Sequence, residues 1–197
     1  DQQAENQRLR EAVRPLEMQG QMLDLLNTAV VAIGVGFGNG PPGLIWGDPV
    51  LKGSGFMVHE NGYLITCHHV ILDCMNAAPP VGTPPGAVRR YCIGTGDPIA
   101  WRWTASVLDW SAASMGPRPG QPEHRVPAQQ PWLDLAVMRL GHRLDNGEPF
   151  LGPVPTLMLG DSDRMETAQA IWVLGYGQQH PAALTRHTCP GAYAGRR

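Results

Sequence analysis

Gly53-Ser54-Gly55-Phe56-Met57-Val58-His59-Glu60-Asn61-Gly62-Tyr63-Leu64-Ile65-Thr66-Cys67-His68-His69-Val70 is the stretch on which the reading of this sequence turns. Two short apolar runs, 55–58 and 63–66, flank the dipeptide Asn61-Gly62. Asn-Gly between β-forming runs specifies a tight hairpin, because both residues of a two-residue turn must reach positive φ. The second strand of that hairpin leads directly to His69, which places a histidine on rigid backbone, as a general base requires. With an ordinary pKa of about 6.5, such a side chain accepts a proton at neutral pH and returns it later.

A second segment answers the first. Trp132-Leu133-Asp134-Leu135-Ala136-Val137-Met138-Arg139-Leu140 is a compact apolar run holding one carboxylate. An aspartate entering such a run is unfavourable unless paired or hydrogen-bonded. An imidazole N–H would pair it, fixing the histidine tautomer and steadying the imidazolium formed during acyl transfer. Taken singly, a histidine at a strand end and an aspartate beside an apolar strand are more often structural. Their order along the chain, histidine before aspartate, is that of chymotrypsin-like enzymes.

Outward from these segments the texture is β. The run 29–36 suits a buried strand, 90–93 and 102–108 read as further strands, and so do 157–160 and 170–175. Residues 39–52, 79–86 and 111–131 read as loops rich in Gly and Pro, and the pattern dissolves after Gln178. With 24 Gly and 19 Pro in 197 residues, many short strands and turns are favoured over a helical bundle. Residues 1–28 differ: Leu9, Ala12, Leu16, Leu23 and Leu26 fall near heptad spacing, with Pro15 breaking or kinking a helix. That helix lies on its own domain or docks a partner chain.

A net charge of −2 predicts no general attraction to nucleic acid or anionic membranes. No apolar run reaches the roughly 18 residues of a membrane helix. Cys67, Cys74, Cys92 and Cys189 form no CxxC pair, so neither a zinc ribbon nor a disulfide scaffold is indicated, and free, partly buried thiols are expected. A bridge from Cys74 to Cys67 or Cys92 is the alternative for an exported protein. Metal binding by Cys67, His68, His69 and Cys74 is disfavoured, because adjacent histidines on a strand point to opposite faces.

Residues 53–70 resemble the "GSGF…(N/D)G-YxLT-xx-HV" block of HtrA/Deg-type, trypsin-like serine peptidases. Residues 133–140 are similar to the "DLAVLRL" block of that family. A third block follows in order: Leu159-Gly160-Asp161-Ser162-Asp163, then Ile171-Trp172-Val173-Leu174-Gly175-Tyr176-Gly177, similar to the family's "LGDSD…G…VxAIG-xG". The resemblance runs from about residue 28 to 178. It implies an all-β, chymotrypsin-like double Greek-key β-barrel, preceded by the N-terminal helix. The division it implies is 1–28 for the helix or docking segment, 29–140 for a complete first barrel, and 141–197 for the start of a second with an irregular tail. It also implies that His69, which directly precedes Val, is the base and Asp134 its partner. Ser162 corresponds to a turn serine rather than the nucleophile.

The nucleophile itself has no match. The family serine lies in a "GNSGGP" type turn after the third block, and residues 178–197 contain no serine. Thr185, Thr188 and Cys189 are the nearest substitutes, and Cys189-Pro190 lacks the flanking glycines and an oxyanion-hole N–H. The abrupt end and the non-Met start favour a chain that stops before its serine. A shortened or diverged pseudoenzyme is the competing account. The function expected is therefore a serine endopeptidase domain acting on polypeptides, inactive alone. The alternative is an inactive trypsin-fold module that binds protein partners, with Trp101, Trp103, Trp110 and Trp132 as a partner surface or as packing. No metal or organic cofactor is implied, and the sequence assigns no compartment.

Overall fold

The computed structural model describes residues 28–110, 134–160, 170–180 and 183–192. The elements are β1 (Val30–Gly38), β2 (Val50–His59), β3 (Tyr63–Thr66), α1 (His68–Met75), β4 (Val88–Thr95), β5 (Ala100–Trp110), β6 (Ala136–Arg143), β7 (Ala170–His180) and β8 (Ala183–Ala192). The first six strands close into an antiparallel barrel in the order β1-β2-β3-β6-β5-β4, with β4 returning to pair with β1. A closed ladder leaves no free strand edge among these six. The other two strands form a separate ribbon.

The long apolar run at the start becomes β1, and all nine of its residues are buried. Alternation accounts for this. Val31, Ile33, Val35 and Phe37 enter the barrel core with Met57, Leu64, Ile71, Ile93, Met138 and Leu140. Val30 and Ala32 face the other way, into a second cluster with Leu51 and Tyr176, flanked by Ile99, Trp101, Leu157 and Leu174. Through that second cluster β7 packs on the outside of the barrel wall. A polar clasp joins the same place: the Tyr176 N–H donates to Ser54 Oγ at 2.6 Å, and the Ser54 hydroxyl donates to the Tyr176 carbonyl at 3.2 Å.

The hairpin forms where the sequence places it, but with one more loop residue than expected. His59 pairs with Tyr63, leaving Glu60, Asn61 and Gly62 in the turn. The Gly62 N–H donates to the His59 carbonyl at 3.0 Å, and Gly62 takes φ +81°. A three-residue connection with glycine in the left-handed region is the next most favoured hairpin after the two-residue form. The strands expected at 90–93 and 102–108 lie inside β4 and β5.

Two expectations fail. Residues 157–160 form no strand; the Leu157 N–H donates to the Met57 carbonyl at 2.8 Å, and its side chain packs on the second cluster. The pattern does not dissolve after Gln178 either, since β7 continues to His180 and β8 runs back along it from Ala183 to Ala192. Backbone pairing with β7 sustains this ladder without the apolar alternation that marks β1 to β3. The proposed helix over 1–28, except Thr28, the loop 111–131 and Ser162 lie outside the described residues. Among the described residues no helix is long and apolar enough to cross a membrane.

Candidate active site

Strand register brings the two site segments together. β3 and β6 pair antiparallel with Thr66 opposite Ala136, at the end of one strand and the start of the other. His69 lies three residues beyond Thr66 and Asp134 two residues before Ala136, so both emerge from the same corner of the barrel. His69 is not on the strand, as the sequence suggested. The chain turns at Cys67, which caps α1 with φ −78° and ψ 143°, and His69 sits in the helix's first turn. Helix α1 packs close against β2, and Gly53 permits the approach: a Cβ there would lie 2.6 Å from a Val70 methyl.

Asp134 grips His69 at two points. Its Oδ1 accepts the His69 backbone N–H at 2.9 Å, and its Oδ2 lies 2.5 Å from His69 Nδ1. The backbone contact fixes where the carboxylate sits, and the ring contact fixes which imidazole nitrogen holds the proton. With Nδ1 engaged, Nε2 is the nitrogen left to exchange protons with a substrate group. Both side chains face solvent, at 62% exposure for His69 and 44% for Asp134. The hydrogen bond from the His69 ring holds the Asp134 carboxyl below the usual carboxylate range, against the opposing effect of burial.

His68 does something else. It turns inward to 1% exposure and stacks at a tilt on Trp110, 5.7 Å between ring centroids. Burial pushes its pKa below the ordinary histidine value, with Asp134 opposing and His69 reinforcing. Its Nε2 has no hydrogen-bond partner. The two histidines diverge here as successive residues of a helix, about 100° apart around its axis, rather than as opposite faces of a strand.

Cys67, Cys74 and Cys92 are free thiols, so neither suggested bridge is formed. Burial pushes the thiols of Cys74 and Cys92 up to about 12. Cys67 is half-buried, and burial followed by the charge of Asp134 raises its pKa as well. The metal reading weighed on the sequence grouped Cys67 with His68, His69 and Cys74; the structure instead brings together Cys67, His69 and Asp134, with ligand atoms within 4.8 Å of one another.

Of the four tryptophans singled out from the sequence, Trp101, Trp103 and Trp110 pack rather than protrude. Trp101 joins the second cluster, Trp103 meets Phe150 edge-on at 6.3 Å, and Trp110 covers His68. Trp132 lies outside the described residues, and Trp46, which the sequence did not single out, is 54% exposed. Thr185, Thr188 and Cys189 fall on β8, whose backbone pairs with β7 at Gly177, Leu174 and Val173 respectively.

Residues 53–197 match the family model described as "Trypsin-like peptidase domain". The chain belongs to that family. Among solved structures, this trypsin-like domain is similar to "Crystal structure of Deg5", at 16% identity over 91% of this chain and 65% of that one, with a TM-score of 0.49. It is also similar to the MamO protease domain from Magnetospirillum magneticum (apo form), at 19% identity over 86% of this chain and 62% of that one, with a TM-score of 0.43. The chain thus spans less than two thirds of either structure's length. No curated protein matches it.

Sequence reasoning missed Ser54, and it weighed Cys67 only within a disfavoured metal group that lacked Asp134. The partner of Ser54 lies 122 residues away, so no local pattern signals it. Cys67 had a signal: a thiol two residues before the site histidine, at the residue where strand gives way to helix.

Proposed function

We propose that this trypsin-like domain supplies the histidine base and orienting aspartate of a serine endopeptidase. The observation that carries this reading is the two-point contact of Asp134 with His69, since one carboxylate sets both position and tautomer of the ring. In the reaction, a serine hydroxyl attacks the peptide carbonyl while His69 Nε2 takes its proton. Asp134 stabilises the resulting imidazolium, and His69 then returns the proton to the leaving amine. In this reading residues 29–140, extended by the end of β6 to Arg143, make the first barrel that holds both groups, and the rest of the chain opens the second. Residues 178–197 hold no serine, so in this reading the nucleophile comes from outside them. No metal or organic cofactor takes part.

The lack of a serine in residues 178–197 also fits a second reading, an inactive trypsin-fold module within a protein assembly, docked through the N-terminal segment. The two readings part on the sequence of the parent transcript past Arg197 and on reaction with a fluorophosphonate probe. A downstream Gly-x-Ser-Gly-Gly, with probe labelling of that serine, is the expected result for the peptidase. In that polypeptide Asp134→Asn lowers kcat by about 10⁴-fold, as tautomer control is lost. A stop codon, together with no labelling, refutes the peptidase and leaves the module.

A further inference from the structure

We infer that Cys67, His69 and Asp134 form a binding site for a thiophilic divalent cation of the zinc type, and that the ion and the His69–Asp134 hydrogen bond exclude each other. The site does not depend on the peptidase reading.

The donor set is one thiol sulfur, one imidazole nitrogen and one carboxylate oxygen, all within 4.8 Å. Sulfur and imidazole select zinc over magnesium or calcium, and three protein donors with a fourth position open to solvent is a recurrent zinc arrangement. Cys67 and His69 stand two residues apart at the start of α1, anchored by the helix and by the packing of Val70 on Gly53. Asp134 is held by the His69 backbone N–H through Oδ1, which leaves Oδ2 to turn toward an ion. The exposure of His69 and Asp134 provides an entry path. Binding releases the Cys67 thiol proton to solvent as the sulfur becomes a thiolate ligand, and no oxidant or reductant is involved.

The exclusion follows from distances. Ligand bonds of about 2.0–2.3 Å at tetrahedral angles separate nitrogen from oxygen by about 3.3 Å, and sulfur from either by about 3.6 Å. His69 Nδ1 and Asp134 Oδ2 are 2.5 Å apart, so coordination through Nδ1 must open that contact by roughly 0.8 Å and displace its proton. Coordination through Nε2 instead occupies the nitrogen that would handle a substrate's proton. By either route, a chain that holds the ion has no free base.

Cobalt(II) tests the site, because a thiolate ligand gives it a near-ultraviolet charge-transfer band and tetrahedral geometry gives intense visible bands. Titration of the reduced chain with cobalt(II) is expected to develop both, saturating at one ion per chain. The charge-transfer band is lost in Cys67→Ser and kept in Cys74→Ser, Cys92→Ser and Cys189→Ser. His69→Ala, at an exposed position, weakens binding at least about tenfold. Far-ultraviolet circular dichroism reports whether each variant is folded. Absence of the thiolate band, or its survival in Cys67→Ser, overturns the site. The downfield proton resonance of the His69 Nδ1–H···Asp134 hydrogen bond tests the exclusion. It is expected to vanish or move upfield with one equivalent of zinc, and its persistence unchanged at saturation overturns the exclusion.

Discussion

Replacing Ser54 with alanine tests how the β7–β8 ribbon is held to the barrel. The Ser54 hydroxyl exchanges two hydrogen bonds with the backbone of Tyr176, at 2.6 and 3.2 Å, in partly buried surroundings. Each such bond contributes about 0.5–1.5 kcal/mol net, so Ser54→Ala loses about 2 kcal/mol at this contact. The apolar contacts of Tyr176 with Val30, Ala32 and Leu51 remain, as does the bond from its phenol to the Gly96 carbonyl at 3.2 Å. The loss therefore falls on undocking of β7 rather than on opening of the barrel. A penalty of about 2 kcal/mol raises the population of the undocked form about thirtyfold. Hydrogen exchange read by mass spectrometry is the assay. Peptides covering β7 should exchange about thirty times faster in the variant, while those from β1 and β4 change little. Less than a twofold change in β7, or equal acceleration in β4, would refute the idea that this hydroxyl pins the ribbon.

Two further outcomes follow from the barrel. Gly62→Ala places a methyl 2.8 Å from the Phe150 ring and 3.0 Å from Leu140, at φ +81°. Left-handed strain and overpacking together destabilise the fold by about 2–4 kcal/mol, read as a lower denaturation midpoint with unchanged m-value; a shift under about 0.5 kcal/mol contradicts this. Cys74 and Cys92, with thiols pushed up to about 12, hold only about one thiolate in 10⁴ at pH 8. Iodoacetamide at that pH should leave both unmodified in the folded chain and modify both after denaturation. Rapid labelling of either one in the folded chain contradicts their burial.

The parts of the fold that were legible are those with local causes. Asn61-Gly62 announces a hairpin because turn chemistry is written in adjacent residues, and the run that became β1 announces a strand buried on both faces because it lacks polar positions. Even there, one turn residue was misplaced: pairing His59 with Tyr63 is decided by the ladder, not by the dipeptide. The helical seat of His69 was not legible, since 67–70 carries no capping side chain and its helix is held by packing on Gly53. β8 was hidden for a related reason: its existence depends on β7, and its own sequence contains Pro190 and Gly191. The nearness of His69 and Asp134 could be expected from their order, whereas the presence of Cys67 beside them required the turn of α1.

The pairing of Thr66 with Ala136 also fixes what evolution is free to change. Trp110, the last residue of β5, faces that same Ala136 across the β5–β6 ladder. Trp110 and Ala136, which bracket segment 111–133, are therefore neighbours whatever lies between them. Lengthening or shortening that segment alters only a closure entropy that grows with the logarithm of its length, about 0.6 kcal/mol per doubling. The distance from His69 to Asp134 is thus indifferent to the length of the intervening chain and sensitive to a slip of one residue between two strands. Insertions can accumulate in one of the longest connections of the barrel while the site two residues from β6 stays where it is.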